Sequence, residues 1–453
     1  MSGQLLINRK VLHSGIEITL GRKDYFITYP TSIWKEFPDV YRQSFADSLT
    51  YFLTMHLALS DHARLVYNFP PPATESFIFK GMVYSLPETA LTDSGVTMPS
   101  LLRQLYNTHF SIEFTKRPQI QRFKNINRNS KNRSIIPFSF GKDSLLTFAL
   151  SRELGINPYP IFFREPRNPY ENRHKHKLAQ RFLDEFDVEV NIFPVTPGWL
   201  RQTTGKWWGW DLLLTQYTQM LIPFLFGTRA KYLFWAHEAS CNETFLDDEG
   251  FRVNPVFEQS YQWLLSTNSM ARIMGSNSIF ASLIEPIHEI AIMRILHHRY
   301  PSIAKYQMSC FAEETPAKTR RWCGVCSKCA RMYIFMLALG IPPSRVGFSE
   351  NMLGLKKRHL YTLFIDGKGV KDSAYTESGL GRGEQLLAFY MAYKRGVKGG
   401  LMDLFKKTLL KEAQKKEKKL RRKYFGIHST NTLTYELKKP ILKIYEEELR
   451  GLR

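Results

Sequence analysis

From Ser134 onward, short apolar runs alternate with stretches of helical period. The runs at 135–140, 159–163, 188–195 and 232–236 predict strands, and 144–154, 174–186 and 211–226 predict the helices between them. Strand–helix alternation with mostly apolar strands predicts an α/β fold whose Rossmann-like parallel sheet is covered on both faces. Such sheets take ligands at the carboxyl ends of their strands. Further helices are expected at 256–265, 287–298 and 332–339.

The first 130 residues follow a different pattern and predict a separate α+β unit. Ile16, Ile18 and Leu20, then Tyr25, Ile27 and Tyr29, alternate as strands do; 41–59 reads as a helix, and after the turn Phe69-Pro70-Pro71-Pro72 the run 77–84 reads as a strand. The polar, basic segment 121–133 marks a linker. The expected organisation is an α+β unit (1–130), an α/β domain (131–300), a cysteine-bearing segment (301–345) and a helical, basic region (346–453). No internal repeat is evident.

Hydrophobic residues make up 43% of the 453 positions and charged residues 23%, which excludes wholesale disorder and collagen. No apolar run reaches the length of a membrane helix and the polar start lacks a signal-peptide core, so a cytoplasmic protein is expected. The net charge of +22 favours anionic partners. Ten of the Lys and Arg residues lie in 406–423 against Glu412 and Glu417. Leu409, Leu410 and Leu420 make a poor apolar stripe there, so a solvated helix is the expectation.

Ser139-Phe140-Gly141-Lys142-Asp143-Ser144 joins the first strand of the α/β domain to its first helix. Backbone N–H groups at such a junction converge on an anion. Ser139 and Ser144 offer hydroxyls to phosphate oxygens, Lys142 offers charge, and Asp143 is placed to hold Mg²⁺ against a pyrophosphate. The spacing is not that of a Walker loop.

Four of the five cysteines, Cys310, Cys323, Cys326 and Cys329, crowd into 20 positions. Their spacing suits a closed, structural Cys₄ site for Zn²⁺; an iron–sulfur cluster takes the same ligand set. Cys241 stands apart as a small buried hydrophobe.

The loop resembles the S-G-G-x-D-S signature of PP-loop (N-type) ATP pyrophosphatases, departing at Phe140. Such enzymes bind ATP and split it between the α and β phosphates, leaving an adenylated substrate. The Cys₄ knot after the sheet is shared with the 7-cyano-7-deazaguanine synthases. The wider chain, about residues 10 to 345, is more similar to the ATP-dependent UDP-N-acetylmuramoyl-L-alanyl-L-glutamate epimerases. The matching stretches are Arg321-Trp322-Cys323-Gly324-Val325-Cys326-Ser327-Lys328-Cys329, the run Ser282 to Ile290 before Ser309-Cys310, and His237-Glu238-Ala239-Ser240-Cys241-Asn242-Glu243. Ser327 replaces a proline of that pattern, and Pro255 follows Val253-Asn254 where His-Gln is expected. The resemblance implies ATP, Mg²⁺ and Zn²⁺ as cofactors and a carboxylate substrate, possibly a UDP-sugar peptide, whose terminal L-glutamate is inverted for peptidoglycan synthesis.

His237 and Glu238, just past a predicted strand end, are the candidate α-proton base. His288 fits a core histidine, and Lys206 with Trp207, Trp208 and Trp210 is a candidate substrate wall. Two other readings compete. One is a tRNA-modifying PP-loop enzyme, favoured by the net charge; the other is a zinc-bearing binding protein without catalysis.

Overall fold

The computed structural model describes residues 3–60, 64–92, 96–109, 111–118, 130–202, 212–310, 312–365 and 374–453. Most of the linker and the candidate wall Lys206, Trp207, Trp208 and Trp210 lie outside these residues. Two five-stranded sheets organise the chain. In the first, β1 (Gln4–Leu12), β2 (Gly15–Leu20) and β3 (Lys23–Thr28) form an antiparallel meander. β4 (Arg64–Tyr67) and β5 (Ile112–Phe114) extend it in parallel, in the order β3-β2-β1-β4-β5.

Its helices are α1 (Thr31–Glu36), α2 (Asp39–Thr54), α3 (Glu75–Thr92) and α4 (Met98–His109). Residues 77–84, expected as a strand, lie inside α3. Ile78, Gly81, Met82, Ser85 and Leu86 are among its buried positions, a spacing of three and four that only a helix places on one face. Within that stripe Gly81 is a close-approach site, because a Cβ there would meet the Trp263 ring at 2.6 Å.

The second sheet comprises β6 (Lys131–Pro137), β7 (Asn157–Arg164), β8 (Asn191–Pro194) and β9 (Ala230–Phe234). A two-stranded hairpin, β10 (Phe245–Leu246) and β11 (Arg252–Val253), precedes its last strand, β12 (Ile279–Ala281). All its neighbours are parallel, in the order β12-β9-β6-β7-β8. The polar stretch 131–133 of the expected linker is the start of its central strand. The chain winds outward from β6 in both directions, so the topological switch point lies between β6 and β9, where a crevice opens beyond the strand ends.

Helices cover both faces: α5 (Lys142–Glu153), α6 (Pro169–Phe186), α7 (Leu213–Thr228), α8 (Tyr261–Ile273), α9 (Glu289–Arg299) and α10 (Ser327–Leu339). The helix expected at 256–265 is a short turn, Phe257–Gln259, followed by α8, whose first turn is capped by the Ser260 hydroxyl accepting from Trp263 N–H. One face of the sheet shares an apolar core with the N-terminal unit, joining Ile7, Trp34 and Phe45 to Ile135, Phe193 and Leu221. The Tyr29 hydroxyl donates to the Met220 carbonyl at 3.1 Å across that contact.

The opposite face packs on the C-terminal helices α11 (Arg382–Lys394), α12 (Gly400–Thr408), α13 (Leu410–Tyr424) and α14 (Tyr435–Leu449). Buried Glu285 ties them down. Its carboxylate accepts from the backbone N–H of Asn431 and Thr432 and from the hydroxyls of Ser429 and Thr432. The basic helix α13 is not solvated all round: Ala413, Leu420 and Tyr424 are buried. The stripe that closes it onto the core uses alanine and tyrosine as well as leucine. Among the described residues no helix is long and apolar enough to cross a membrane.

Candidate active site

The phosphate-type loop leaves β6 at Pro137 and enters α5 at Lys142. Gly141, the N-cap of α5, provides no side-chain cap; the Ser309 hydroxyl accepts from Lys142 N–H at 3.2 Å, and the positive end of the helix dipole borders the crevice. Phe140 stands where the PP-loop signature has its first glycine, and its φ is +57°. That left-handed backbone is one a glycine adopts without strain. Here the ring is fully buried against Phe138 and Phe182, at centroid separations of 4.8 and 5.8 Å. The ring therefore packs into the core, and the loop's other side stays open.

Phe140→Gly exchanges two effects. It removes a buried aromatic, costing about 3 to 5 kcal/mol, and relieves about 1 to 2 kcal/mol of left-handed strain. Net destabilisation of about 2 to 3 kcal/mol in urea unfolding is expected. Loop function is expected to persist at low temperature.

Two adjoining cavities meet at the loop. One, about 350 Å³, is polar and lies between the loop, Glu238, Glu289, Arg331 and Tyr375. The other, about 370 Å³, lies over the ends of β7 and β9 and is lined by Phe163, Tyr217, Trp235 and His237. Ser139, Asp143 and Lys175 border both. A polar chamber thus adjoins an aromatic one, with the N-terminus of α5 between them.

Charge in the polar chamber is organised around Lys142, whose side chain is almost wholly buried. Its ammonium lies 2.6 Å from Asp143 and 2.9 Å from Glu289. Burial alone would depress its pKa, but Asp143, Glu289 and Glu238 hold it above the usual lysine value. Glu289 also pairs with Arg331 at 2.8 Å, and although burial opposes ionisation, Arg331 and Lys142 keep it a carboxylate. Glu238 is different. Burial, then the neighbouring Glu289, raises its pKa well above the normal range. One of its carboxyl oxygens accepts from the Ser240 hydroxyl, and the other has no hydrogen-bond partner among the described residues.

The two halves of the predicted base pair thus separate. Glu238 borders the polar chamber, whereas His237 borders the aromatic one, stacked on Trp235 at 5.2 Å. Burial lowers the His237 pKa to about 3, so its imidazole is neutral at ordinary pH. His288 is buried against Tyr424 and His428 and precedes α9 as its N-cap residue. Cys241 borders the polar chamber, its thiol 3.5 Å from the Gln259 side-chain carbonyl.

Cys310, Cys323, Cys326 and Cys329 converge as expected, with all four sulfurs within 4.8 Å of one another. Tetrahedral Zn–S bonds of about 2.3 Å require S···S separations of about 3.8 Å. The Cys323 and Cys329 sulfurs are 3.7 Å apart, and backbone N–H groups of Ala312, Cys323, Val325 and Cys329 point at the sulfurs as they do at thiolates. Gly324 makes the tight knuckle at φ +72°, where a Cβ would also meet Glu350 at 2.8 Å. The four cysteines can hold a metal ion such as Zn²⁺, with no open coordination position.

The knot is tied to the loop. Met308 N–H donates to the Phe140 carbonyl at 2.7 Å, and Lys142 N–H donates to the Ser309 hydroxyl at 3.2 Å, both just before Cys310. Glu289, Arg331 and Tyr375 were not singled out from sequence. Glu289 lies one residue beyond His288, and Arg331 lies two beyond Cys329, so proximity to those marked residues was the available signal; Tyr375 carried none. A scan against protein-family models finds no match for this chain, and a search of curated proteins finds none either.

Proposed function

We propose that this protein is an ATP-dependent carboxylate-adenylating enzyme whose substrate is the terminal L-glutamate of a UDP-N-acetylmuramoyl dipeptide, which it epimerises. The supporting observation is the N-terminus of α5 at the switch point of a parallel sheet, bordering two chambers while Phe140 is buried behind it. The aromatic chamber suits adenine, and the loop with Lys142 suits the phosphates. Asp143 is the residue offered to Mg²⁺, which would neutralise the departing pyrophosphate.

A carboxylate oxygen of the substrate attacks the α-phosphorus, and the bond to the β-phosphate bridge breaks with pyrophosphate leaving. The acyl adenylate withdraws electrons, which makes the neighbouring Cα–H acidic. Glu238, once ionised, takes that proton, and reprotonation from the other face inverts the centre. Water then cleaves the mixed anhydride, releasing AMP and the inverted carboxylate. The polar chamber brings the Glu238 carboxyl and the Tyr375 ring to one space, which is the observation that favours proton transfer there.

The test is incubation with ATP, Mg²⁺ and the UDP-muramoyl dipeptide in deuterated water. AMP, pyrophosphate and deuterium at the glutamate Cα are expected. No AMP with any carboxylate would sink the adenylation reading, while AMP with a deazaguanine carboxylate but not the dipeptide would overturn the substrate. Glu238→Gln is expected to keep AMP formation within about tenfold while lowering Cα–H exchange by about 10² to 10⁴. Because its pKa is raised, the wild-type exchange rate should climb with pH above the range in which an ordinary carboxyl ionises, and the variant's profile should be flat over that limb.

A further inference from the structure

A separate cleft of about 820 Å³ lies on the flank of the sheet domain, between α6, the segment around Tyr306, and the chain on either side of the cysteine knot. Helix α6 divides it from the active site. Glu171 and Lys175 face the active chambers, whereas Lys177 and Arg181 line the flank cleft. The turn Thr315–Lys318 closes the boundary, with His174 Nε2 against the Ala317 carbonyl at 2.7 Å and Arg173 donating to the Lys318 carbonyl at 3.2 Å.

Lys177, Arg181, Arg321 and Arg345 line this cleft from three separate stretches of chain, and none has a hydrogen-bond acceptor or carboxylate partner among the described residues. The acids beside them are engaged: Glu185 accepts from Lys305 and from the Tyr306 hydroxyl, each at 2.6 Å, and Asp184 accepts from Gln180 at 3.1 Å. Arg321 is half-buried, which is unusual for a cation without a partner.

Arg321 is also held in place. Its guanidinium lies on Gly347, where a Cβ would come within 3.1 Å of Nη2 and where φ is +87°. The residues that follow each of them, Trp322 and Phe348, stack at 4.2 Å, and the Trp322 indole N–H donates to the Val346 carbonyl at 2.8 Å. A guanidinium fixed by its neighbours, without an acceptor, is preorganised for phosphate.

The geometry points to a second anion site, in which this flank cleft holds the phosphodiester backbone of a nucleic-acid strand. Lys177, Arg181 and Arg345 are exposed along an open rim, so one small phosphate would leave most of them in water, whereas successive phosphates along a strand engage all four. The net charge of +22 supplies the long-range attraction. The lysines of α13 are exposed on a convex helix and serve as the control surface.

The test is fluorescence anisotropy of labelled single-stranded RNA, and of DNA of the same sequence, over a salt series without ATP. Binding of both is expected, with Lys177→Ala/Arg345→Ala weakening it about tenfold or more and reducing the salt slope by about two. Gly347→Ala is expected to weaken it by displacing Arg321, and Lys415→Ala/Lys418→Ala to leave it unchanged. AMP release by the Lys177/Arg345 variant is expected to match wild type, which shows that the fold and the active site survive. Unchanged binding in the cleft variant, loss only in the α13 variant, no binding of either strand, or binding of inorganic pyrophosphate alone would each overturn the assignment.

Discussion

Asp143→Ala is expected to lower AMP release about a thousandfold or more, because it removes the partly exposed carboxylate of the loop, which the proposed adenylation assigns to neutralising the pyrophosphate. The fold should survive. Asp143 is only one of two carboxylates on the buried Lys142 ammonium, and Glu289 at 2.9 Å remains after the substitution. The expected loss in urea unfolding is therefore about 1 kcal/mol, the scale of a partly exposed ion pair. Asp143→Asn keeps the shape and should lose nearly as much rate, which separates charge from packing. An unaltered AMP rate in both variants would place the metal elsewhere and remove Asp143 from the chemistry.

That prediction rests on residues which are contiguous in sequence, and this is why they were readable. A strand, a short polar turn and a helix place six neighbouring residues at one spot whatever the rest of the chain does, and the cysteine spacing likewise describes one local knot. The polar chamber is assembled differently. Glu289 comes from the start of α9, Arg331 from α10 and Tyr375 from the segment before α11, so only the packing of three distant stretches brings them to Lys142. Phe140 could be flagged as a departure but not interpreted, since its ring direction depends on where Phe182 of α6 packs.

The misread segment 77–84 has a similar origin. Phe77-Ile78-Phe79 and Met82-Val83-Tyr84 are apolar enough to satisfy either period, and β-branched and aromatic residues favour a strand. Gly81 packs against Trp263 of α8, and Met82 and Leu86 join the N-terminal core, which rewards only the helical spacing. Tertiary burial decided between two locally acceptable answers. The same logic hid the docking face of α13, where lysines dominate the composition and Ala413, Leu420 and Tyr424 make the contact.

Metal removal should have the second large effect, and it should reach the active site. One zinc per chain is expected by elemental analysis, with a visible absorption band as the result that would instead identify an iron–sulfur cluster. Four thiolates binding Zn²⁺ supply about 10 kcal/mol or more, comparable with the whole stability of a domain. Cys326→Ser should therefore lose the metal and unfold or aggregate, and a strong chelator should do the same to the wild type. Under milder chelation the 139–144 loop should lose its shape before global unfolding. Cys310 follows Met308 and Ser309 directly; Met308 N–H donates to the Phe140 carbonyl at 2.7 Å, and the Ser309 hydroxyl accepts from Lys142 N–H at 3.2 Å. Freeing Cys310 releases the segment that shapes the loop, so AMP formation should fall in proportion to zinc lost while far-ultraviolet ellipticity still persists. A Cys326→Ser protein that stays folded, metal-free and fully active would show that the knot neither stabilises the chain nor positions the loop.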